Sequence, residues 1–211
     1  MHGMDVVVAG GHGQIGLRLL RLLADGGHRA RGLIRNPDHA GELSAAGAEP
    51  VVCDMEALED LSECCAGADA VVFAAGAGPG SGPERKRTVD YGAAVKLMEA
   101  GVSRYVMVSA IAAGRPQEWS DQMRPYYEAK AGADERLMES GLDYTIVRPG
   151  GLTDEPGTGR VLVGTELDYA QVPRDDVAAV LLAVLEQPSS IGKTFELLSG
   201  DQPIDEAIAG L

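Results

Sequence analysis

Short apolar runs alternate with stretches in which Leu, Val, Ala and Met recur every three or four residues. The runs predict strands at Asp5–Ala9, Arg31–Ile34, Pro50–Cys53, Ala70–Phe73, Tyr105–Val108, Tyr144–Val147 and Thr194–Leu198, each bounded by turn residues. The periodic stretches predict helices at Gln14–Ala24, Ala57–Cys65, Val89–Ala100, Pro125–Ser140 and Arg174–Glu186. Strand and helix in strict alternation imply repeated βα units, hence an α/β fold whose mainly parallel sheet of about seven strands carries helices on both faces.

Two segments break the alternation, and both follow predicted strands, where an open α/β sheet keeps its ligand crevice. Gly76–Thr88 is rich in Gly and Pro, reads as a mobile mouth loop, and ends in a basic cluster, Arg85, Lys86 and Arg87, expected to be solvated, with a phosphate or acidic-substrate contact as the alternative. Thr153–Val172 is long enough to form a small cap near 152–173 on the substrate side of a single domain spanning 1–211.

Composition narrows the classes. With 211 residues, 45% of them hydrophobic, the chain can bury a core without disulfides or a structural metal, and no metal site is expected. A net charge of −14 argues against a nucleic-acid partner held by a basic surface. The absence of a long apolar stretch or a secretory leader pattern leads to the expectation of a cytoplasmic protein with no membrane partner, acting on a small molecule as a monomer or homodimer. Cys53, Cys64 and Cys65 lack zinc-site and C-x-x-C spacing and read as small buried residues, with an adjacent Cys64–Cys65 redox pair as the alternative.

The run VVVAGGHGQIG, Val6 to Gly16, joins an apolar strand to Gly10, Gly13 and Gly16 and then to a helix beginning at Gln14 and Ile15. Glycines so placed permit a tight turn, backbone approach to a pyrophosphate and close packing of helix on strand, while the helix start offers free N–H groups to phosphate. His12, inside the turn, is expected to face solvent, with a phosphate contact as the alternative. Farther on, Tyr126 and Lys130 stand one helical turn apart, and Ser109 ends a strand. An ammonium beside a tyrosine lowers its pKa and fits it for proton transfer at a carbonyl or alcohol oxygen, which a serine hydroxyl can help to fix.

Together these segments resemble the short-chain dehydrogenase/reductase superfamily, in particular its small, atypical, epimerase/dehydratase-like NAD(P)H-binding branch. AGGHGQIG is similar to the cofactor loop of that branch, FAAGAG to the turn after its fourth strand, and PYYEAKAGADERLMESGLDYTIVRPGGLT to the segment carrying its Tyr-x-x-x-Lys pair and Arg-Pro-Gly turn. The resemblance implies a doubly wound Rossmann-type sheet. It makes Tyr126 the proton donor or acceptor, Lys130 the residue that lowers its pKa and holds the nicotinamide ribose, and Ser109 the holder of the substrate oxygen. It also places Ala74, Ala75, Gly76 and Val108 beside the cofactor, Asp54 and Met55 at the adenine, and Pro149, Gly150, Gly151 and Leu152 beside the carboxamide.

At the end of the second strand, where an acidic residue would hold the ribose hydroxyls of NAD, the chain has Arg35 followed by Asn36. A guanidinium there, with no carboxylate expected beside it, favours a 2′-phosphate and hence NADP(H). The expected activity is hydride transfer to or from a small carbonyl or alcohol, a quinone or a flavin. An NADP(H)-sensing regulator without turnover and an epimerase with tightly held cofactor are the alternatives. Only about 60 residues follow the Arg-Pro-Gly turn, little material to enclose a sugar nucleotide.

Overall fold

A computed structural model describes residues 3–78 and 80–211; Pro79, within the expected mouth loop, lies outside the described residues. The chain runs β1 (Asp5–Ala9), α1 (Gln14–Asp25), β2 (Arg29–Ile34), α2 (Ala40–Ala45), β3 (Glu49–Val52), α3 (Ser62–Cys65), β4 (Ala70–Phe73) and α4 (Pro83–Arg85). A π-helical stretch, Lys86–Ala93, leads into α5 (Ala94–Met98), β5 (Arg104–Val108), α6 (Arg124–Met138), β6 (Asp143–Pro149), β7 (Gly151–Thr153) and β8 (Arg160–Gly164). The rest is β9 (Gln171–Pro173), α7 (Arg174–Glu186), β10 (Lys193–Ser199), β11 (Gln202–Pro203) and α8 (Ile204–Ala209).

Nine strands form one sheet in the order β11-β8-β10-β6-β5-β4-β1-β2-β3. Seven of them, from β10 to β3, are mutually parallel and correspond to the seven expected from the apolar runs, whereas β8 and β11 add antiparallel pairing at one edge. The strand order reverses between β1 and β4, and that switch point opens the crevice in which a doubly wound sheet takes its ligand.

Period-two alternation divides the core. Val6 and Val8 of β1 face one side with Leu19, Leu20 and Leu23 of α1 and Val177, Leu181 and Val184 of α7. Val7 and Ala9 face the other with Phe73, Leu97, Tyr105, Met107 and Leu137. Helix α1 forms because its apolar positions Ile15, Leu19, Leu20 and Leu23 share one face, and it ends where the Gly26 N–H bonds back to the Leu22 carbonyl.

Three sequence expectations need correction. The helix expected at Ala57–Cys65 shrinks to the single turn Ser62–Cys65, because the Asp54 carboxylate accepts from the Glu56 and Ala57 N–H groups and holds the preceding chain in a turn. The basic end of the expected mouth loop is helical from Pro83, with proline at the helix start where its missing N–H costs nothing. The Thr153–Val172 segment contributes β8 to the main sheet, and β7 pairs with β9 in a separate two-stranded sheet.

Candidate functional site

The glycine turn forms one wall of the crevice. Gly10 has φ +82°, open to glycine at little cost, and a Cβ on it would stand 2.8 Å from the Ala75 backbone. A Cβ on Gly13 would stand 3.0 Å from the Gly10 carbonyl oxygen, so the bare backbone leaves a cradle there. No side chain caps the start of α1, and its first turn holds no acidic residue, so its N–H groups remain available to an anion.

Around this turn lies a cavity of about 330 Å³ lined by ten of the residues expected at the cofactor: Gly10, His12, Gly13, Arg35, Asn36, Asp54, Met55, Ala74, Ala75 and Gly76. The cavity also takes in Arg85, in keeping with the alternative reading of the basic cluster, and His39 and Glu56, which sequence reasoning missed. Gln14, Ile15 and Gly16 lie at the start of α1 and do not line it, and Ile15 is buried in the core.

Two expectations about this end change. His12 does not simply face solvent: its ring stacks on His39 with centroids 3.6 Å apart, and its Nε2 lies 3.0 Å from Glu42 Oε1. A carboxylate does stand beside Arg35, since Glu56 Oε2 lies 3.2 Å from Arg35 Nη1 and 3.0 Å from Arg85 Nη2. Arg85 thus lines the crevice while keeping 48% of its side chain exposed, and Glu56 also accepts from the Thr88 hydroxyl at 2.9 Å. The cysteine pairing differs as well. Cys53 and Cys64 form a disulfide across the loop that carries Asp54, Met55 and Glu56, whereas Cys65 is free and buried, its thiol pushed up to about 11 by burial.

The proton-transfer residues sit past β5 and on α6. Lys130 Nζ is buried and bonds the Val108 carbonyl at 3.1 Å, and it lies 3.3 Å from Asp90 Oδ1. Asp90 reaches it from the π-helical stretch, where the extra residue per turn accommodates an acidic side chain at a buried position, and its other oxygen accepts from the Ala77 N–H at 3.2 Å. Asp90 thus connects the loop after β4 to the lysine. Ser109 is buried and donates to Asp134 Oδ2 at 2.9 Å, and Arg148 Nε bonds the same oxygen at 2.9 Å. With its proton committed to Asp134, the Ser109 hydroxyl has lone pairs left to accept a hydrogen bond.

The Tyr126 phenol is not lowered, as proximity to Lys130 led us to expect. Burial raises it, and the nearby Asp90 and Asp134 carboxylates raise it further, while Lys130 Nζ stands 6.0 Å from its ring centroid with its charge answered by Asp90. The phenol accordingly stays protonated at ordinary pH. Desolvation likewise raises Asp134, against the lowering effects of Arg148, Ser109 and Lys130. Pro149 ends β6, Gly150 links it to β7, and Gly151 and Leu152 begin β7; none of the four lines the glycine-turn cavity.

A doubly wound sheet, an uncapped helix start behind a glycine turn and a crevice at the topological switch point define a Rossmann-type dinucleotide-binding protein. More narrowly, the chain belongs to the NAD(P)H-binding family, whose sequence pattern matches residues 10–188. It is 41% identical over 214 residues to a Bacillus subtilis protein named as the uncharacterized sugar epimerase YhfK, covering 99% of this chain and 100% of that one. Among solved structures it resembles a Bacillus halodurans protein titled as a NAD-dependent epimerase/dehydratase, with TM-score 0.94, 40% identity and coverage of 99% and 100% of the two chains. The oxidoreductase ylbE from Lactococcus lactis is similar at TM-score 0.89 and 30% identity, with 99% and 96% covered. Among the described residues no group of His, Cys, Asp or Glu is arranged to hold a metal ion, and no helix is long and apolar enough to cross a membrane.

Proposed function

We propose that this protein is an NADP(H)-dependent oxidoreductase in which Tyr126 gives the proton that accompanies hydride transfer to a small carbonyl, quinone or flavin. The observation that carries the reading is the placement of Tyr126 one turn before the buried Lys130 on α6, with Lys130 bonded to the end of β5, beside the sheet whose glycine turn forms the crevice. The glycine turn and the start of α1 would hold the pyrophosphate, Arg35 and Arg85 the 2′-phosphate, and Lys130 the nicotinamide ribose. The dinucleotide supplies the hydride. A donor phenol matches the reductive direction, because the oxygen of the reduced substrate needs a proton as its negative charge develops. Asp90 holds Lys130 in place, and Asp134 fixes the rotamer of Ser109 beside the transfer. The test is NADPH oxidation against panels of carbonyls, quinones and flavins with wild type and Tyr126→Phe. Turnover at least a hundredfold faster in wild type is expected, and a panel without turnover, or equal rates in the two proteins, defeats the reading.

A further inference from the structure

We infer that the Cys53–Cys64 bond is a reversible modification site, opened by small dithiols and remade by small disulfides, whose state sets how firmly the crevice holds a dinucleotide. The inference needs the dinucleotide site alone and not the hydride-transfer reading. The bond joins the end of β3 to α3 across a sequence separation of 11, with the two Cα atoms 6.3 Å apart. Cys53 is buried and lines the glycine-turn cavity, and its N–H donates to the Ile34 carbonyl at 2.8 Å. Between the two cysteines the chain forms no strand or helix until Ser62, yet it supplies Asp54, Met55 and Glu56 to the cavity wall.

That stretch of wall is otherwise held by polar side chains. Residues 57–60 are exposed, Lys96 Nζ bonds the Glu56 and Leu58 carbonyls at 3.3 and 2.6 Å, and Arg35, Arg85 and Thr88 meet the Glu56 carboxylate. Covalent closure of so short a loop removes open conformations that the wall would otherwise visit, and a wall held in place costs less to order around a ligand. Cys64 is half-buried, where a thiolate from solvent can approach it. The neighbouring Cys65 is buried, with its thiol pushed up to about 11, and supplies no competing thiolate at neutral pH.

Reduction balances as two exchanges. A thiolate of the dithiol attacks Cys64 Sγ, the sulfur–sulfur bond breaks, and its electron pair leaves on Cys53, which takes a proton. The second thiolate then attacks the reagent's own bound sulfur, closes a cyclic disulfide and releases Cys64 as a thiolate that is protonated in turn. The protein gains two electrons and two protons, which the dithiol gives up. By whatever factor the closed form binds a dinucleotide more tightly, the bound dinucleotide protects the bond from reduction.

The test compares protein oxidised with glutathione disulfide and protein reduced with dithiothreitol, each freed of reagent. Maleimide labelling of the denatured chains, read by mass spectrometry, is expected to find Cys65 alone free in the oxidised form and all three cysteines free in the reduced form. NADP+ and NAD+ are then titrated into both forms by calorimetry. Affinity for both dinucleotides is expected to fall by about threefold or more on reduction. Cys64→Ser should bind as the reduced protein does with or without dithiothreitol, and Cys65→Ala should keep the response. NADP+ should shift the dithiothreitol equilibrium toward the closed bond by the factor that calorimetry gives. Three labelled cysteines in the oxidised protein, equal affinities in the two forms, a loss confined to one dinucleotide, or a response that survives in Cys64→Ser each overturns the inference. Redox-dependent affinity in a protein without NADPH turnover supports the inference and defeats the oxidoreductase reading alone.

Discussion

Lys130 Nζ lies 3.3 Å from Asp90 Oδ1, with 6% and 2% of the two side chains exposed. An ion pair this dry is held by the mutual need of its members, since removing one strands the other charge in a medium that cannot solvate it. Lys130→Ala is therefore expected to cost about 3–5 kcal/mol in urea unfolding. The volume-matched double change Asp90→Asn with Lys130→Met should return much of that loss. A single-variant cost below about 1 kcal/mol, the level of an exposed pair, contradicts the buried pairing.

Gly16 offers a steric test of the cofactor turn. A Cβ on it would stand 2.2 Å from the Gly10 carbonyl oxygen, a contact that only backbone movement relieves. Gly16→Ala should cost about 1–3 kcal/mol, as overpacking does, and lower affinity for NADPH and NADH together. Isothermal titration reads the affinities, and an unchanged value for both cofactors would show that the close approach is not needed.

Glu56 stands between Arg35 and Arg85 at 3.2 and 3.0 Å, so a 2′-phosphate must displace a carboxylate to reach the two guanidiniums. Glu56→Gln is expected to raise NADPH affinity and leave NADH affinity nearly unchanged. Arg35→Ala and Arg85→Ala should each weaken NADPH by about tenfold, the effect of one charge-assisted hydrogen bond, with little change for NADH. Parallel losses for both cofactors would move these residues away from the 2′-phosphate.

Acid stability should follow Glu196. Burial alone would raise this carboxyl, but hydrogen bonds from Arg115 and from the Ala112 and Leu167 N–H groups overcome burial and lower it. A carboxyl lowered on folding contributes stability that is fully present above its unfolded value, near 4.5, and is lost as pH falls through its folded value. Chemical unfolding from pH 7 to pH 3 should show Glu196→Gln less stable than wild type at neutral pH, with the difference narrowing below about pH 4.5. A constant difference across the range would assign the loss to packing alone.

The apolar runs showed the central parallel strands directly because those are buried on both faces, so β1 and β4 need no partner information to be recognised. Strand β8 alternates instead, with Val161 inward and Leu162 exposed, and it exists because it pairs with β10 more than thirty residues later. Spacing revealed Tyr126 and Lys130, since both lie on one helix. It did not reveal Glu56 or His39, which meet the crevice from separate segments through charge and stacking that leave no period in the chain. Asp90 and Asp134 did leave a trace: each is an acid at a buried position in a helical stretch, and Asp134 stands one turn after Lys130. The tyrosine's proton affinity depends first on its burial and then on those two carboxylates, so its direction could not be drawn from the Tyr-Lys spacing.

Glu196 belongs to β10, yet its oxygens hold Ala112 and Arg115 after β5 and Leu167 between β8 and β9. Ala112, at φ +63°, keeps its left-handed backbone in the grip of that distant carboxylate. Helix α7 closes the core over β1 and α1, and Glu196 ties the loops after β5 and β8 together, so both ends of the crevice depend on the last third of the chain for their final shape.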